Sequence, residues 1–154
     1  MKQFKTSLVI RRPVEDVFTF VSNYQNSPLW VSGALEHTKV SEGPIGVGTV
    51  IRTTGRTMGL RIEVTRIITA YEPYARYAFK SEYRQVPLTT TFLFEPVQDG
   101  TRLTIIVEGE SAGLFKAAAP LVLGTIRQQF EDDLRRLKTL LEGQDRDPSA
   151  PIVL

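Results

Sequence analysis

The sequence contains no cysteine and only one histidine, His37. Without cysteine there is no disulfide framework, no thiolate zinc site and no cysteine nucleophile. A single histidine excludes sites that need two of them, such as the His-Glu-x-x-His helix of zinc peptidases. We therefore expect neither a metal ion nor a cofactor.

An excess of charge of one sign and long apolar runs are also missing. The chain has 19 Lys and Arg against 17 Asp and Glu, a net charge of +2, which is too small to indicate a nucleic-acid partner. No aromatic residues are interleaved with the arginines of segment 52–66, as single-strand binding would require. The apolar stretch 117–126 is far shorter than the roughly 20 residues of a membrane span. With no secretory signal at residues 1–16, we expect a cytoplasmic protein without stable membrane insertion.

The length and composition indicate one ordinary domain. The chain has 154 residues, of which 42% are hydrophobic and 23% charged, and both fractions are typical of a globular domain with a single core. Segment 143–154 contains two prolines and little apolar periodicity. We therefore predict a single domain over residues 1–142 and a flexible tail over residues 143–154.

Hydrophobic periodicity predicts an α+β order of elements. Residues 4–11 are rich in Val and Ile and indicate a strand, and Pro13 then suits the first position of a short helix that ends near Asn23. A second short helix is expected over residues 24–30. At the other end of the chain, apolar residues at three- and four-residue steps predict a long helix over residues 115–142.

Between residues 34 and 110 the pattern is that of strands. The alternation is cleanest in residues 101–109, and Asp99-Gly100 before it is a strong hairpin signal. Since one face of each strand is polar and the other apolar, an antiparallel sheet is expected. Turn residues divide this region into about six strands. Turns are expected at positions that include Gly55, Gly59 and Val86-Pro87.

Four short segments have a pattern that is found in one superfamily. They are Ile10-Arg11-Arg12-Pro13-Val14-Glu15-Asp16-Val17-Phe18, then Ser27-Pro28-Leu29-Trp30, then Ile68-Thr69-Ala70-Tyr71-Glu72-Pro73, and finally Phe92-Leu93-Phe94-Glu95-Pro96 followed by Asp99-Gly100-Thr101-Arg102-Leu103-Thr104. On these segments, residues 3–142 resemble the helix-grip superfamily. It includes Bet v 1-like allergens, START lipid-transfer domains and the polyketide cyclase/dehydrase family.

The resemblance implies a helix-grip fold: a curved antiparallel sheet of about seven strands around a long C-terminal helix, with two short helices after the first strand. It also implies an apolar cavity between sheet and helix. The expected function is binding of a hydrophobic or aromatic small molecule, such as a lipid, quinone or polyketide-like compound. The alternatives are a polyketide cyclase/aromatase or dehydratase, and an interaction protein whose cavity has collapsed. The superfamily has no universal catalytic signature, so the catalytic residues stay unknown, and a homodimer stays open.

Small residues in segment 112–126 locate the expected pocket under the first half of the long helix. The loop 55–59 is expected to act as a mobile lid beside it. Apolar residues of the strands and the helix would line the pocket with Trp30 and Arg66. The predicted ligand-binding residues are Trp30, Arg66, Tyr77, Phe79, Phe92, Phe94, Val107, Ala119, Leu123 and Ile126.

Polar residues near this pocket leave alternatives open. If Arg66 points inward, it needs an acidic partner or an anionic ligand, whereas a bulge would turn it to solvent, which is the preferred interpretation. A lone His37 suits a general base, but with no orienting partner in the sequence nearby we expect it on the surface. Glu110 is expected at a solvated strand end. Any of Tyr24, Tyr71, Tyr77 and Tyr83 would suit hydrogen bonding to a carbonyl group of the ligand.

Overall fold

Seven antiparallel strands and three α-helices make up the computed structural model, which describes residues 2–57, 59–83, 86–109 and 119–143. The strands are β1 (Lys2–Ile10), β2 (Ala34–Lys39), β3 (Val50–Thr57), β4 (Leu60–Glu72), β5 (Arg76–Tyr83), β6 (Val86–Val97) and β7 (Gly100–Gly109). The helices are α1 (Val14–Ser22), α2 (Ser27–Trp30) and α3 (Ala119–Gly143), and a 3₁₀ turn, Tyr24–Asn26, lies between α1 and α2.

The strands form one sheet in the order β1-β7-β6-β5-β4-β3-β2. Each strand from β2 to β6 pairs with the next one along the chain. The strand β1 pairs with the other edge of β7. The pairing shifts register between Ala34 and Glu36 and again between Ile68 and Ala70. Such bulges bend a strand and change which face its side chains occupy. The arrangement agrees with the helix-grip layout that the sequence predicts.

One face of the sheet, here called the inner face, carries the hydrophobic core. Across the middle strands Tyr77 pairs with Phe92, and Phe92 pairs with Ile105, so their side chains share this face. All three are buried. From the helix, the fully buried residues Leu134 and Leu137 pack into the same cluster. Burial of each such side chain contributes roughly 1.5–3 kcal/mol to folding.

Two of the predicted turns, at Gly55 and at Val86-Pro87, are wrong. Gly55 lies inside β3, where it pairs with Ala34 and Ile62. The chain does turn at Gly59, as predicted, and the φ of +79° at this residue favours glycine. A lid over residues 55–59 is therefore also wrong, since most of this segment is strand. Pro87 lies in β6 near its first residue, a position where a strand tolerates the missing N–H.

The helices and the N-terminal strand agree with the sequence prediction to within a few residues. For the long helix, the part that was expected before Ala119 lies outside the described residues, as does the predicted flexible tail from residue 144. None of the helices in the described ranges combines the length and the apolar character needed to cross a bilayer.

Where β1 meets the end of α3, a group of polar residues is fully paired; we call it the paired end. Arg12 is only 3% exposed. Its guanidinium donates to Asp16 Oδ2 at 2.9 Å and to the carbonyl oxygen of Leu141 at 3.3 Å. The backbone oxygen of Arg12 accepts from Thr101 Oγ1 at 2.8 Å. These bonds fix the corner after β1 against both β7 and α3.

Lys138 and Glu142 complete the paired end from the helix. Lys138 Nζ donates to the carbonyl oxygen of Val9 at 2.5 Å and to Glu142 Oε2 at 2.7 Å. The same carboxylate oxygen accepts from the backbone N–H of Arg11 at 2.9 Å. These hydrogen bonds outweigh its partial desolvation and lower the pKa of Glu142. The last turn of α3 is thereby held to β1.

Candidate ligand-binding site

The other half of the inner face carries polar side chains among aromatic rings; we call it the inner wall. It consists of Trp30, His37, Thr53, Arg66 and Tyr77. His37 pairs with Thr53 and Arg66 pairs with Ile51, which is buried in the core cluster. Directly opposed residues of an antiparallel pair point to the same face. Arg66 therefore lies on the inner face.

Arg66 contacts an aromatic ring and has no acidic partner among the described side chains. Its guanidinium carbon lies 4.6 Å from the centre of the Phe79 ring, a cation–π contact. Among the side chains that the structure describes, no carboxylate lies within 4.0 Å of this guanidinium. Burial lowers the pKa of Arg66, but an arginine starts so high that it stays charged.

The preferred sequence interpretation of Arg66, a bulge that turns it to solvent, is wrong. The bulge in β4 comes after Arg66, between Ile68 and Ala70. Up to that point the strand keeps its period of two, which places Arg66 in phase with the half-buried Val64 and the buried Ile68. Apolar Ile67 made the phase ambiguous in the sequence. It lies on the outer face, where it is 46% exposed.

His37 also lies on the inner wall, and the prediction of a surface histidine is wrong. Its ring is half-buried, and Nδ1 lies 2.9 Å from Thr53 Oγ1. Nε2 is buried and has no hydrogen-bond partner in the part of the chain that the structure describes. Burial, with a smaller contribution from the charge of Arg66, lowers the pKa of His37 to about 4. The imidazole is therefore neutral at neutral pH.

Trp30 and Tyr77 supply the aromatic part of the inner wall. Trp30 is 3% exposed, and its Nε1 is a second buried nitrogen for which the described residues supply no hydrogen-bond partner. The Trp30 ring meets Phe92 edge-on at 6.3 Å, while Tyr77 stacks on the same ring at 5.9 Å. Burial raises the pKa of Tyr77, so that its phenol keeps its proton.

A buried carboxylate on α3 holds the helix against the segment after Trp30. Asp133 is 2% exposed, and its Oδ1 accepts from the backbone N–H of Ser32 at 3.0 Å and from Ser32 Oγ at 2.5 Å. Arg136 donates to the same oxygen at 3.0 Å and to the carbonyl oxygen of Trp30 at 2.8 Å. Desolvation raises the pKa of Asp133 despite these bonds. Asp133 thus positions Trp30 through Ser32 and Arg136.

Sequence reasoning considered His37 as a general base but preferred the surface for it, and it missed Thr53 and Asp133 as parts of this region. The bulge between Ala34 and Glu36 sets the face on which His37 lies, and nothing in the local pattern marks it. Thr53 and Asp133 resemble ordinary polar residues in the sequence. For Asp133 the signal that was present is its position, one residue before the buried Leu134 of the apolar stripe.

The structure describes the side chains of all the predicted ligand-binding residues except Ala119 and Leu123. On the inner face Tyr77, Phe79, Phe92 and Val107 are buried, as are Trp30 on α2 and Phe94, whose ring packs on Phe18 at 5.0 Å. Ile126 is half-buried against the core. The side chains of Ala119, Leu123 and Tyr83 lie outside the described residues, and so do Glu110 and segment 112–118. Tyr24 and Tyr71 are half-buried.

A metal centre has no support in the part of the chain that the structure describes. There, no group of three or more His, Asp and Glu side chains is placed to hold a metal ion. The chemistry that the inner wall offers is that of hydrogen-bond donors, one cation and aromatic surfaces. Such a set is suited to an organic ligand.

Residues 1–142 match the sequence model of a family described as "Polyketide cyclase / dehydrase and lipid transport". A search of curated proteins found no match. Solved structures match over most of the chain. The allergen Ara h 8.0201 has a TM-score of 0.66 and 19% identity, with 88% of this chain and 97% of that one covered.

Two further structures show the same fold. TTHA0849 from Thermus thermophilus has a TM-score of 0.73 and 18% identity, covering 89% of this chain and 94% of that one. BexL, a di-domain ARO/CYC protein of the BE-7585A biosynthetic pathway, has a TM-score of 0.80 and 18% identity. The match covers 96% of this chain but 48% of BexL, so the chain spans about half of that protein. At these identities the likeness concerns the fold alone.

Proposed function

Because the chain belongs to the polyketide cyclase/dehydrase and lipid-transport family, we propose that it binds a hydrophobic or aromatic small molecule between the inner face and α3. The ligand would be lipid-like, quinone-like or polyketide-like. One observation carries the proposal: Trp30 Nε1 and His37 Nε2 are buried, and neither has a hydrogen-bond partner among the described residues.

Buried polar atoms are normally paired, because leaving one unpaired costs about 1–3 kcal/mol. A region that had evolved only as packed core would carry apolar side chains at these two positions. Acceptor atoms of a ligand would satisfy Trp30 Nε1 and, in the tautomer in which Nε2 carries the proton, His37 Nε2 as well. The rings of Tyr77, Phe79 and Phe92 would meet its apolar body, as in most small-molecule sites, where apolar walls carry a few polar groups.

A binding titration tests this function directly. We expect the neutral dye N-phenyl-1-naphthylamine to bind the wild-type protein and to increase its fluorescence. Val64→Trp places a large ring on the inner face opposite Thr53 and should abolish the increase. Thr65→Trp is the matched control, since Thr65 is exposed on the other face of β4, and it should bind as the wild type does. Equal binding by all three proteins, or none by the wild type, would contradict the proposed site.

Catalysis as a polyketide cyclase, aromatase or dehydratase is the second candidate, and His37 favours it. With Nδ1–H donating to Thr53, the neutral ring presents Nε2 as a free acceptor that can take a proton from a substrate. Arg66 would stabilise the negative charge that develops on an oxygen. The likeness to BexL, a di-domain ARO/CYC protein, supports the same candidate.

Carriage and catalysis differ in what happens to the bound molecule. Native mass spectrometry of the purified protein would give the mass of a co-purified ligand. Catalysis predicts that a supplied precursor leaves with a different mass, and that His37→Gln keeps binding but stops the change. If the wild-type protein releases every bound compound unaltered, the catalytic candidate is lost and binding remains.

A further inference from the structure

We infer that the ligand carries a negative charge, on a carboxylate or another compact oxyanion, and that this group lies against Arg66. The inference rests on the proposed ligand-binding function and adds the chemical class of the ligand. Its basis is that the described groups of the inner wall carry a positive charge and more hydrogen-bond donors than acceptors.

The described groups of the inner wall add up to one positive charge. Arg66 is cationic, and no described carboxylate lies within 4.0 Å of it. His37 and Tyr77 are neutral at neutral pH. The buried carboxylate of Asp133 is engaged by Ser32 and Arg136. Arg66 is half-buried, and a partly desolvated charge without a partner is costly, so a partner brought by the ligand would recover free energy that the protein alone does not.

The unpaired groups are also mostly donors. The indole Nε1 of Trp30 can only donate, and the guanidinium of Arg66 has five N–H donors and no acceptor. His37 Nε2 becomes a third donor in the tautomer in which Thr53 donates to Nδ1. Donors that lack acceptors complement an acceptor-only group, and a carboxylate is such a group.

The contact with Phe79 does not satisfy Arg66. A cation–π contact uses the flat face of the guanidinium, whereas its N–H groups lie in the plane and stay available to a ligand. Arg52, on the neighbouring strand but on the outer face, shows the usual alternative. It is exposed and pairs with Glu63 at 2.9 Å.

Two dyes with the same aromatic body separate charge recognition from general apolar binding. They are N-phenyl-1-naphthylamine, which is neutral, and 8-anilinonaphthalene-1-sulfonate, which adds one negative charge. We expect Arg66→Gln to weaken binding of the sulfonate about tenfold or more, the size of a lost charged hydrogen bond. Binding of the neutral dye should change by less than about threefold. Arg52→Gln removes the same charge from the outer face and should leave both affinities unchanged.

A second measurement needs no variant. Decanoate and decanol have chains of equal length, and they would compete with N-phenyl-1-naphthylamine for the wild-type protein. Decanoate should displace the dye at a concentration about tenfold lower than decanol, at a pH where the acid is ionised. This comparison holds even if Arg66→Gln does not fold.

The outcomes distinguish this inference from the function on which it rests. If the neutral dye binds but decanol competes as well as decanoate, or if Arg66→Gln binds the sulfonate as the wild type does, the ligand class is wrong and the binding function stands. An equal loss of both dyes in Arg66→Gln would also overturn it, since Arg66 would then serve structure alone. If neither dye binds the wild type, the binding function fails and the inference falls with it.

Discussion

Two arginines of this domain, Arg12 and Arg66, point into the protein with opposite results. At the paired end, the guanidinium of Arg12 has a carboxylate and a carbonyl oxygen as partners, and its own backbone oxygen is paired as well. On the inner wall, Arg66 has an aromatic ring below it and no described carboxylate beside it. The same type of side chain is thus a paired structural element in one region and has no described carboxylate partner in the other.

The difference indicates how the fold divides its tasks. The paired end fastens the last turn of α3 to β1 with groups that satisfy one another, so it stabilises the domain without help. The inner wall carries groups that have no hydrogen-bond partner among the described residues, and such groups lower stability. Sites of function are commonly strained in this way, and mutations that relieve the strain stabilise the protein and impair its activity.

The largest effect is expected from Arg12→Met. The variant leaves the carboxylate of Asp16 and the carbonyl oxygen of Leu141 without their donor. Removing one partner of a buried ion pair costs about 3–5 kcal/mol, and the partial exposure of Asp16 reduces our expectation to about 2–4 kcal/mol. Urea unfolding measures it, with Arg11→Met, at an exposed neighbour, as control. A loss below about 0.5 kcal/mol would show that the paired end does not hold the fold.

Arg66→Met should act in the opposite direction. Methionine has a similar length and no charge, so the desolvation cost disappears while the packing against Phe79 is kept in part. We expect the free energy of unfolding to rise by about 1–3 kcal/mol, as when buried charges are replaced by apolar residues. Arg52→Met, on the exposed face, should stay within about 0.5 kcal/mol of the wild type. A destabilised Arg66→Met would mean that Arg66 has an internal partner and belongs with Arg12.

Thr101→Val tests the paired end at a neutral hydrogen bond. Thr101 is fully buried, and its hydroxyl donates to the backbone oxygen of Arg12 at 2.8 Å. Valine fills the same volume but leaves that oxygen unpaired, so we expect a loss of about 1–2 kcal/mol. Thr69→Val, on the exposed face of β4, is the control and should cost nothing measurable. An unchanged melting temperature for Thr101→Val would indicate that water replaces the lost donor.

The sequence was sufficient for the fold because the relevant signals are local and repeated. Alternation in β7, the Asp99-Gly100 turn and the apolar stripe of α3 each identify an element, and residues 1–142 proved to match the family that the four segments indicated. Gly55 was misassigned because a glycine inside a strand has the same sequence signature as one in a turn.

The inner wall was less accessible to sequence reasoning. Which face His37 and Arg66 occupy depends on bulges at Ala34/Glu36 and Ile68/Ala70, and a shift of one residue reverses the face. The pairing of His37 with Thr53 joins strands whose register the sequence does not state. Aromatic residues such as Phe92 were easier to place from the sequence, because strict alternation predicted them on the apolar face, which is the inner face.

The smallest effect concerns the pH dependence that His37 gives to stability. Burial and the charge of Arg66 lower the pKa of His37 from 6.5 to about 4 in the folded protein. Well above pH 6.5 the ring is neutral in both states, so nothing is lost there. As the pH falls below 6.5, His37 is protonated in the unfolded chain but stays neutral in the folded protein until about pH 4. The free energy of unfolding therefore falls with the pH.

For a ring that is only half-buried, solvent screening reduces this loss to about 1 kcal/mol. Urea unfolding of the wild type and of His37→Gln at about pH 7 and about pH 5 isolates it, because carboxylates such as Asp133 and Glu142 titrate alike in both proteins. The wild type should lose about 1 kcal/mol more than His37→Gln. Because the charge of Arg66 contributes to the lowered pKa of His37, the excess should shrink in an Arg66→Met background. Equal pH dependence in wild type and His37→Gln would mean that the imidazole is solvated, and that only Arg66 and Trp30 distinguish the inner wall from the paired end.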